Sequence, residues 1–136
     1  YFGLGCRNVS KILIPKDFVL DRFFEAILPY GDVVNHNKYG NNYDYNKAVY
    51  LMNVLPILDN NFVILKEDET LHSPLGVLFY ERYSRVSELD KYLSSNKDKL
   101  QAIVGQEFIP FGVAQKPTLI DYADGVNTLD FLASIQ

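Results

Sequence analysis

Segments with strand character alternate along this chain with segments of helical periodicity, and this alternation constrains the fold most strongly. Short runs rich in β-branched and aromatic residues predict strands, whereas apolar residues spaced three or four apart predict amphipathic helices. The alternating order predicts an α/β fold, in which a mainly parallel sheet is flanked by helices. The predicted strands cover residues 11–14, 62–65, 75–83 and 100–104, and the predicted helices cover residues 17–28, 44–55, 87–96 and 128–135.

Local residue chemistry predicts where the first two helices begin and end. Asp17 is the predicted N-cap of the first helix, since its carboxylate can accept hydrogen bonds from the first helical N–H groups. Pro29 predicts the end of that helix, and residues 33–34 predict a brief strand. The asparagine-rich residues 35–42 predict a polar loop, in which His36 is a solvated side chain. The second helix is predicted to bury one apolar face, made of Ala48, Leu51, Met52 and Leu55.

Size and charge narrow the classes of protein to which the chain can belong. Its 136 residues, 48% of them hydrophobic, are enough for a single domain, residues 1–136, with a buried core. The net charge of −4 argues against a nucleic-acid surface, which needs clustered Lys and Arg. No apolar run approaches the roughly 18 residues of a membrane span. One cysteine cannot form an internal disulfide, which is typical of the reducing cytoplasm.

A glycine-rich stretch near the start holds the single cysteine, Cys6. Gly3 and Gly5 leave the backbone around the sulfur uncovered, so that a substrate carbonyl can approach closely. Arg7 follows directly, and its positive charge, if folded back toward the sulfur, favours the nucleophilic thiolate. These features are compatible with a catalytic cysteine. The alternative is that Cys6 is buried and inert, as most free cysteines are. The lack of a histidine or carboxylate partner nearby in sequence favours this alternative.

Two motifs about a hundred residues apart carry a family resemblance. The first is Gly-Leu-Gly-Cys-Arg-Asn-Val-Ser-Lys at residues 3–11, followed by a predicted strand. The second covers residues 109–132 and contains Gly-x-Ala-Gln and aromatic-x-Asp-Gly elements. They resemble the nucleophile segment and the closing segment of the fatty acyl-CoA reductases, relatives of the reductase that supplies aldehyde to bacterial luciferase. This family lies within the aldehyde dehydrogenase superfamily, and the resemblance covers essentially the whole chain.

The resemblance implies a fold, a reaction and partners. The fold would resemble the catalytic domain of aldehyde dehydrogenases, and the chain would be the C-terminal catalytic portion of a longer cytoplasmic enzyme. Cys6 would attack the thioester carbonyl of a fatty acyl-CoA, and hydride from NADPH would reduce the cysteine-bound acyl group to a fatty aldehyde. The N-terminal half of the same protein would bind most of the NADPH.

His72 is the candidate cofactor-binding residue. The segment His-Ser-Pro-Leu-Gly-Val-Leu-Phe-Tyr at residues 72–80 resembles in position the Glu-x-Phe-Gly-Pro segment of aldehyde dehydrogenases, where the glutamate holds a cofactor ribose. In this sequence His72 takes the place of that glutamate, and the Phe-Gly-Pro pattern is missing. The alternative is that His72 caps a strand or faces water.

Other constellations favour structural interpretations. Three adjacent carboxylates at residues 67–69 have no nearby histidine and are typical of a solvated loop rather than a metal site. Ser10, His36 and Asp44 supply a Ser-His-Asp set that any chain of this size offers. If Cys6 is instead a core residue, the chain would be a non-catalytic binding or assembly domain on the same scaffold. The reactivity of the thiol distinguishes these two functions.

Overall fold

The computed structural model describes residues 4–135, and within them the chain forms four α-helices, four β-strands and three short 3-10 helices. In chain order the main elements are β1 (Lys11–Pro15), α1 (Leu20–Ile27), α2 (Asn37–Met52), β2 (Leu58–Asp59), β3 (Ile64–Glu67), β4 (Val77–Tyr83), α3 (Val86–Ser95) and α4 (Thr128–Ala133). The 3-10 helices are Leu28–Asn35, Lys97–Lys99 and Ala123–Gly125.

The four strands form one mixed sheet in the order β1-β4-β3-β2. Strand β4 pairs in parallel with both β1 and β3, and the two-residue β2 is antiparallel to β3. In this register Lys11 lies opposite Phe79, and Ile64 lies opposite Val77. The prediction of an α/β fold with a mainly parallel sheet is confirmed.

Two adjacent residues of β3 define the two faces of the sheet. Ile64 and Leu65 are both fully buried, and they point to opposite faces because successive strand side chains alternate. On the side of Ile64, Tyr43 of α2 joins the core. On the side of Leu65, Leu20 of α1 packs with Ile14 of β1. Helices therefore flank both faces of the sheet, as the alternation of segments predicts.

The first helix begins later than its sequence predicts. Its N-cap is Val19, which makes no side-chain cap hydrogen bond, so the prediction that Asp17 caps it is wrong. Asp17 instead belongs to a turn after β1, in which the Phe18 N–H donates to the Pro15 carbonyl at 3.0 Å. Because these residues form that turn, they do not form the first turn of the helix.

Beyond α1 the chain continues as the 3-10 helix Leu28–Asn35. Pro29 lies in its first turn, where the missing N–H costs nothing because the first N–H groups of a helix have no partner within it. The predicted strand at residues 33–34 is wrong, since both residues belong to this helix.

Helix α2 differs most from its predicted form. It begins at Asn37, inside the predicted polar loop, and its buried residues are Gly40, Tyr43 and Asn46, whereas Met52 of the predicted apolar face is 83% exposed. A side chain at Gly40 would bring its Cβ to 2.5 Å from the carbonyl oxygen of Val34, so only glycine permits this close approach. Close packing and polar pairing decide which face is buried, and apolar periodicity misses it.

The chain forms two compact units, Tyr1–Asp90 and Lys91–Gln136. In the second unit the predicted strand at residues 100–104 is wrong, and an isolated bridge joins Val104 to Ile109. None of the described residues from 91 to 135 is buried. The apolar side chains that α4 and its C-terminal flank were predicted to turn inward are exposed: Leu129, Leu132 and Ile135. The described part of this unit contains no sheet on which they could pack. The interpretation of residues 1–136 as a single domain stays a prediction.

Candidate functional site at the amino edge of the sheet

Cys6 lies in a four-residue turn directly ahead of β1. The Asn8 N–H donates to the Gly5 carbonyl at 3.0 Å, which makes Cys6 and Arg7 the two central residues of the turn. The thiol is exposed, so the alternative of a buried core cysteine is wrong. Gly3, the other glycine of the sequence argument, lies outside the described residues. The turn presents the sulfur to solvent at the start of the sheet.

His72 lies in the loop that joins β3 to β4, and its side chain is exposed. This loop enters β4 at the amino end of the strand, and β4 runs parallel to β1. The Cys6 turn likewise enters β1 at its amino end. The loop leaves the carboxyl end of β3 and returns to the amino end of β4, and because parallel strands start at the same edge of a sheet, its final residues and the Cys6 turn approach one edge. We refer to this region as the amino edge.

A hydrogen bond joins the two segments at the amino edge. The hydroxyl of Ser10 donates to the carbonyl oxygen of Leu71 at 2.8 Å, and that carbonyl belongs to the peptide group preceding His72. The backbone of Ser10 is itself fixed, since its carbonyl accepts the Phe79 N–H at 3.0 Å. Cys6 precedes Ser10 by four residues, which span at most about 14 Å when fully extended.

Lys11 makes a second connection between the same two segments. Its ammonium donates to the Glu69 carbonyl oxygen at 3.0 Å and pairs with the Glu81 carboxylate at 2.6 Å. The Lys11 side chain is only 6% exposed. A buried ammonium is tolerated only when such partners satisfy it, so its position is tightly specified. Sequence reasoning gave neither Ser10 nor Lys11 a role in holding this loop, although two polar residues directly before an apolar run were a visible signal.

The acidic residues of the same loop are held by protein donors. Asp68 accepts from the ammonium of Lys66, and from the hydroxyl and the N–H of Thr70 at 2.7 Å and 2.9 Å. The Lys66 hydrogen bond, followed by those from Thr70, holds the pKa of Asp68 well below its usual range. Among residues 4–135, no group of three or more His, Cys, Asp or Glu side chains is arranged to hold a metal ion. The Asp68 carboxylate therefore shapes the loop.

A polar cluster on α2 was not predicted from the sequence. Tyr43 donates its hydroxyl to Asp59 at 2.7 Å, while the ammonium of Lys47 lies 3.1 Å from the Tyr43 oxygen and 2.5 Å from the other Asp59 oxygen. The Asn61 N–H also donates to Asp59, at 2.9 Å. The spacing of four residues between Tyr43 and Lys47, one helical turn, was the signal that could have revealed this pair.

The pKa shifts in this cluster indicate a structural role. Burial, followed by the hydrogen bond to Asp59, raises the pKa of Tyr43, so the phenol stays protonated and continues to donate. Burial alone would raise the pKa of Asp59, but the hydrogen bonds from Lys47, Tyr43 and Asn61 outweigh it and lower that pKa. Each group is matched to a partner within the cluster. The cluster therefore fastens α2 to β2 rather than supplying an acid or a base.

The Ser-His-Asp set loses its functional interpretation. The Ser10 hydroxyl is engaged with the Leu71 carbonyl as a donor, and not with an imidazole. His36 is the N-cap residue of α2, and Asp44 is an exposed residue of the same helix.

The second motif of the sequence argument, residues 109–132, lies in the second unit and comprises turns, the 3-10 helix Ala123–Gly125 and most of α4. Gly112 and Gly125 have φ values of +80° and +68°, a region that favours glycine. Thr118 donates both its N–H and its hydroxyl to the Asp121 carboxylate, at 2.7 Å and 2.8 Å. The glycines of this motif are therefore explained by backbone geometry.

Within the described part of the chain, no helix combines the length and apolar character needed to cross a bilayer. Searches against protein-family models, curated proteins and solved structures found no match to this chain. The site must therefore be interpreted from its own residues and geometry.

Proposed function

We propose that this chain supplies the nucleophile of an NADPH-dependent fatty acyl-CoA reductase. One observation carries the proposal: Ser10, four residues after the exposed Cys6, is hydrogen-bonded to the Leu71 carbonyl, which directly precedes His72. The resemblance assigns these two segments to the nucleophile and to the cofactor contact of one site. Their joining by a hydrogen bond is what a shared site requires.

The proposed reaction begins at the sulfur of Cys6. The thiolate attacks the thioester carbonyl of a fatty acyl-CoA, a new carbon–sulfur bond forms, and coenzyme A leaves as a thiolate. NADPH, when bound, supplies the hydride that reduces the cysteine-bound thioester. The Cys6 thiolate is then expelled, and the product is a fatty aldehyde. A thioester suits this scheme because thiolates are strong nucleophiles and thioesters accept hydride more readily than esters do.

Residues beside the sulfur supply electrostatic support in this proposal. The N–H of Cys6 is the natural donor to the oxyanion that forms when the carbonyl is attacked, because it belongs to the same residue as the nucleophile. Arg7 occupies the adjacent central position of the turn, next in sequence to the residue that carries the thiol.

His72 fits the role of a cofactor contact. His72 is exposed, in the loop that leads to the amino end of β4, so its imidazole can hydrogen-bond a ribose hydroxyl that reaches this loop. The remaining parts of the proposed enzyme are a general base, a second oxyanion donor and the dinucleotide-binding half, all supplied by the N-terminal half of the same protein. The fold in this proposal is the catalytic domain of the aldehyde dehydrogenases, and the enzyme works in the cytoplasm.

The experiment compares three forms of the full-length protein in an assay that follows both NADPH consumption and aldehyde release. The unmodified protein should produce fatty aldehyde from a long-chain acyl-CoA. Cys6→Ser should abolish the product, because a hydroxyl without a dedicated base is a weak nucleophile near neutral pH. Met52→Ala changes an exposed side chain of α2 and should leave the rate unchanged. Full activity in Cys6→Ser would defeat the proposal.

A binding or assembly domain is the second candidate. It is favoured by the large apolar side chains that the second unit exposes, since such surfaces often mark interaction sites. They include Phe111, Leu119, Ile120, Leu129 and Leu132. Slow alkylation of the exposed Cys6 thiol, together with the absence of aldehyde formation, would favour this function over catalysis.

A further inference from the structure

Two consecutive residues at the start of β1 hold the loop that carries His72. Ser10 donates to the Leu71 carbonyl at 2.8 Å, and Lys11 donates to the Glu69 carbonyl at 3.0 Å. Both acceptors are backbone atoms of the loop between β3 and β4. The two bonds therefore constrain the path of the loop and do not depend on its side chains.

The ends of this loop are fixed by neighbouring residues of the chain. At the beginning, the Asp68 N–H donates to the Tyr80 carbonyl at 3.2 Å. At the end, the hydroxyl of Ser73 donates to the Val77 carbonyl at 2.7 Å. The residues between these anchors, 69–72, receive the bonds from Ser10 and Lys11. The start of β1 thus holds the middle of the loop, together with the two hydrogen bonds from Thr70 to Asp68.

The ammonium of Lys11 is held in place by its surroundings, because its side chain is almost completely buried and its charge is balanced by Glu81 at 2.6 Å. Moving a buried, paired ammonium costs more than breaking a surface contact. The ion pair with Glu81 therefore keeps the ammonium within hydrogen-bond distance of the Glu69 carbonyl, at 3.0 Å.

We propose that Ser10 and Lys11 are positioning residues that fix the His72 loop against the segment carrying Cys6. The proposal rests on the function proposed above for Cys6 and His72. The Leu71 carbonyl belongs to the peptide group that leads into His72, so the Ser10 hydrogen bond orients the backbone from which the imidazole projects. The same residue lies four positions after Cys6. One short segment thereby carries the nucleophile and holds the loop of the cofactor contact.

The test compares Ser10→Ala with Ser10→Thr in the full-length protein. Alanine removes the donor, whereas threonine keeps a hydroxyl at the same position. Ser10→Ala should raise the KM for NADPH about 2- to 12-fold, the change expected for the loss of one neutral hydrogen bond. Acylation of Cys6 by acyl-CoA without NADPH should change less than twofold. Ser10→Thr should restore the KM. An unchanged KM in Ser10→Ala would overturn the proposal.

A second measurement uses the 136-residue chain and does not depend on catalysis. Amide hydrogen exchange at residues 69–72 should become faster in Ser10→Ala and return toward the original rate in Ser10→Thr. Equally faster exchange throughout β4 would indicate general destabilisation and would overturn the positioning role. If the original protein takes no acyl group on Cys6, the proposed function fails. Unchanged amide exchange at residues 69–72 in Ser10→Ala would show, independently of catalysis, that Ser10 does not hold the loop.

Discussion

Replacing Tyr43 by alanine should strongly destabilise the protein, because this side chain joins α2 to the sheet. Tyr43 is 3% exposed and packs with Ile64, Val77 and Phe79. Its hydroxyl also donates to Asp59 at 2.7 Å. Removing a buried aromatic ring costs about 3–5 kcal/mol. That is a large share of the roughly 5–15 kcal/mol by which a folded domain is stable.

Two further variants separate the ring from the hydroxyl and from the helix itself. Tyr43→Phe keeps the ring and removes one hydrogen bond to a charged group, which contributes about 1.5–3 kcal/mol. The loss should lie near the lower limit, since Asp59 keeps donors from Lys47 and Asn61. Met52→Ala, at an exposed position of the same helix, should change the free energy of unfolding by no more than about 0.5 kcal/mol.

The assay is urea unfolding at pH 7, followed by circular dichroism. The expected order of destabilisation is Tyr43→Ala, then Tyr43→Phe, then Met52→Ala. If Tyr43→Ala does not fold, the comparison of Tyr43→Phe with Met52→Ala still tests the argument. A large loss in Met52→Ala together with none in Tyr43→Phe would mean that α2 packs through its other face.

Three other outcomes are expected. Gly76→Ala should lower the free energy of unfolding by about 1–3 kcal/mol, because Gly76 has a φ of +83° and an added Cβ would lie 3.0 Å from the Tyr43 Cα. Gly112→Ala should lower it less, since Gly112 has a φ of +80° but no atom within 4 Å of an added Cβ. Paired denaturation curves that give the reverse order would contradict the reasoning. The pKa of Asp59 is lowered from its ordinary 3.8, so the stability that Asp59 contributes is present above that value and is lost as pH falls through the folded pKa. Between about pH 5 and pH 2, Asp59→Asn should therefore lose less stability than the original protein. Equal losses in the urea midpoints of the two proteins would refute this. The 136-residue chain alone should fold but should not consume NADPH in the presence of acyl-CoA. Positioning of the cofactor can lower an activation barrier by roughly 7–11 kcal/mol, and in the proposed function the N-terminal half provides it. NADPH consumption at an enzyme-like rate, followed by the absorbance of the reduced cofactor, would contradict this prediction.

Features that depend on short stretches of sequence were predictable. The apolar run before Pro15 predicted β1, and the β-branched and aromatic residues after Leu75 predicted β4. The helix at residues 87–96 was predicted to within one residue at each end of the observed α3. In each case the local preference and the final packing agree, so tertiary contacts did not override the pattern.

Features that depend on distant contacts were not predictable. Helix α2 buries Gly40 and Asn46, and Asn46 can be buried because its amide donates to the Leu75 carbonyl at 3.0 Å. That acceptor is 29 residues away in sequence, so no local pattern reveals it. For the same reason β2, with two residues, has no recognisable strand pattern of its own.

The candidate site divides in the same way. The glycines near Cys6 indicated uncovered backbone around the sulfur but left a buried cysteine as an alternative, and the structure has Cys6 exposed in a turn. The hydrogen bond from Ser10 to Leu71 links residues 61 positions apart. Its existence follows from the parallel pairing of β1 with β4, which sequence periodicity alone does not specify. The roles of Cys6 and His72 stay predictions.

The most direct test of the proposed function is to locate the acyl group. The full-length protein is incubated with a long-chain acyl-CoA in the absence of NADPH, and the adduct is mapped by mass spectrometry before and after hydroxylamine treatment. The proposal predicts one hydroxylamine-sensitive acyl group on Cys6, absent in Cys6→Ser. An acyl group on any other residue, or no adduct while the protein still forms aldehyde when NADPH is added, would contradict it.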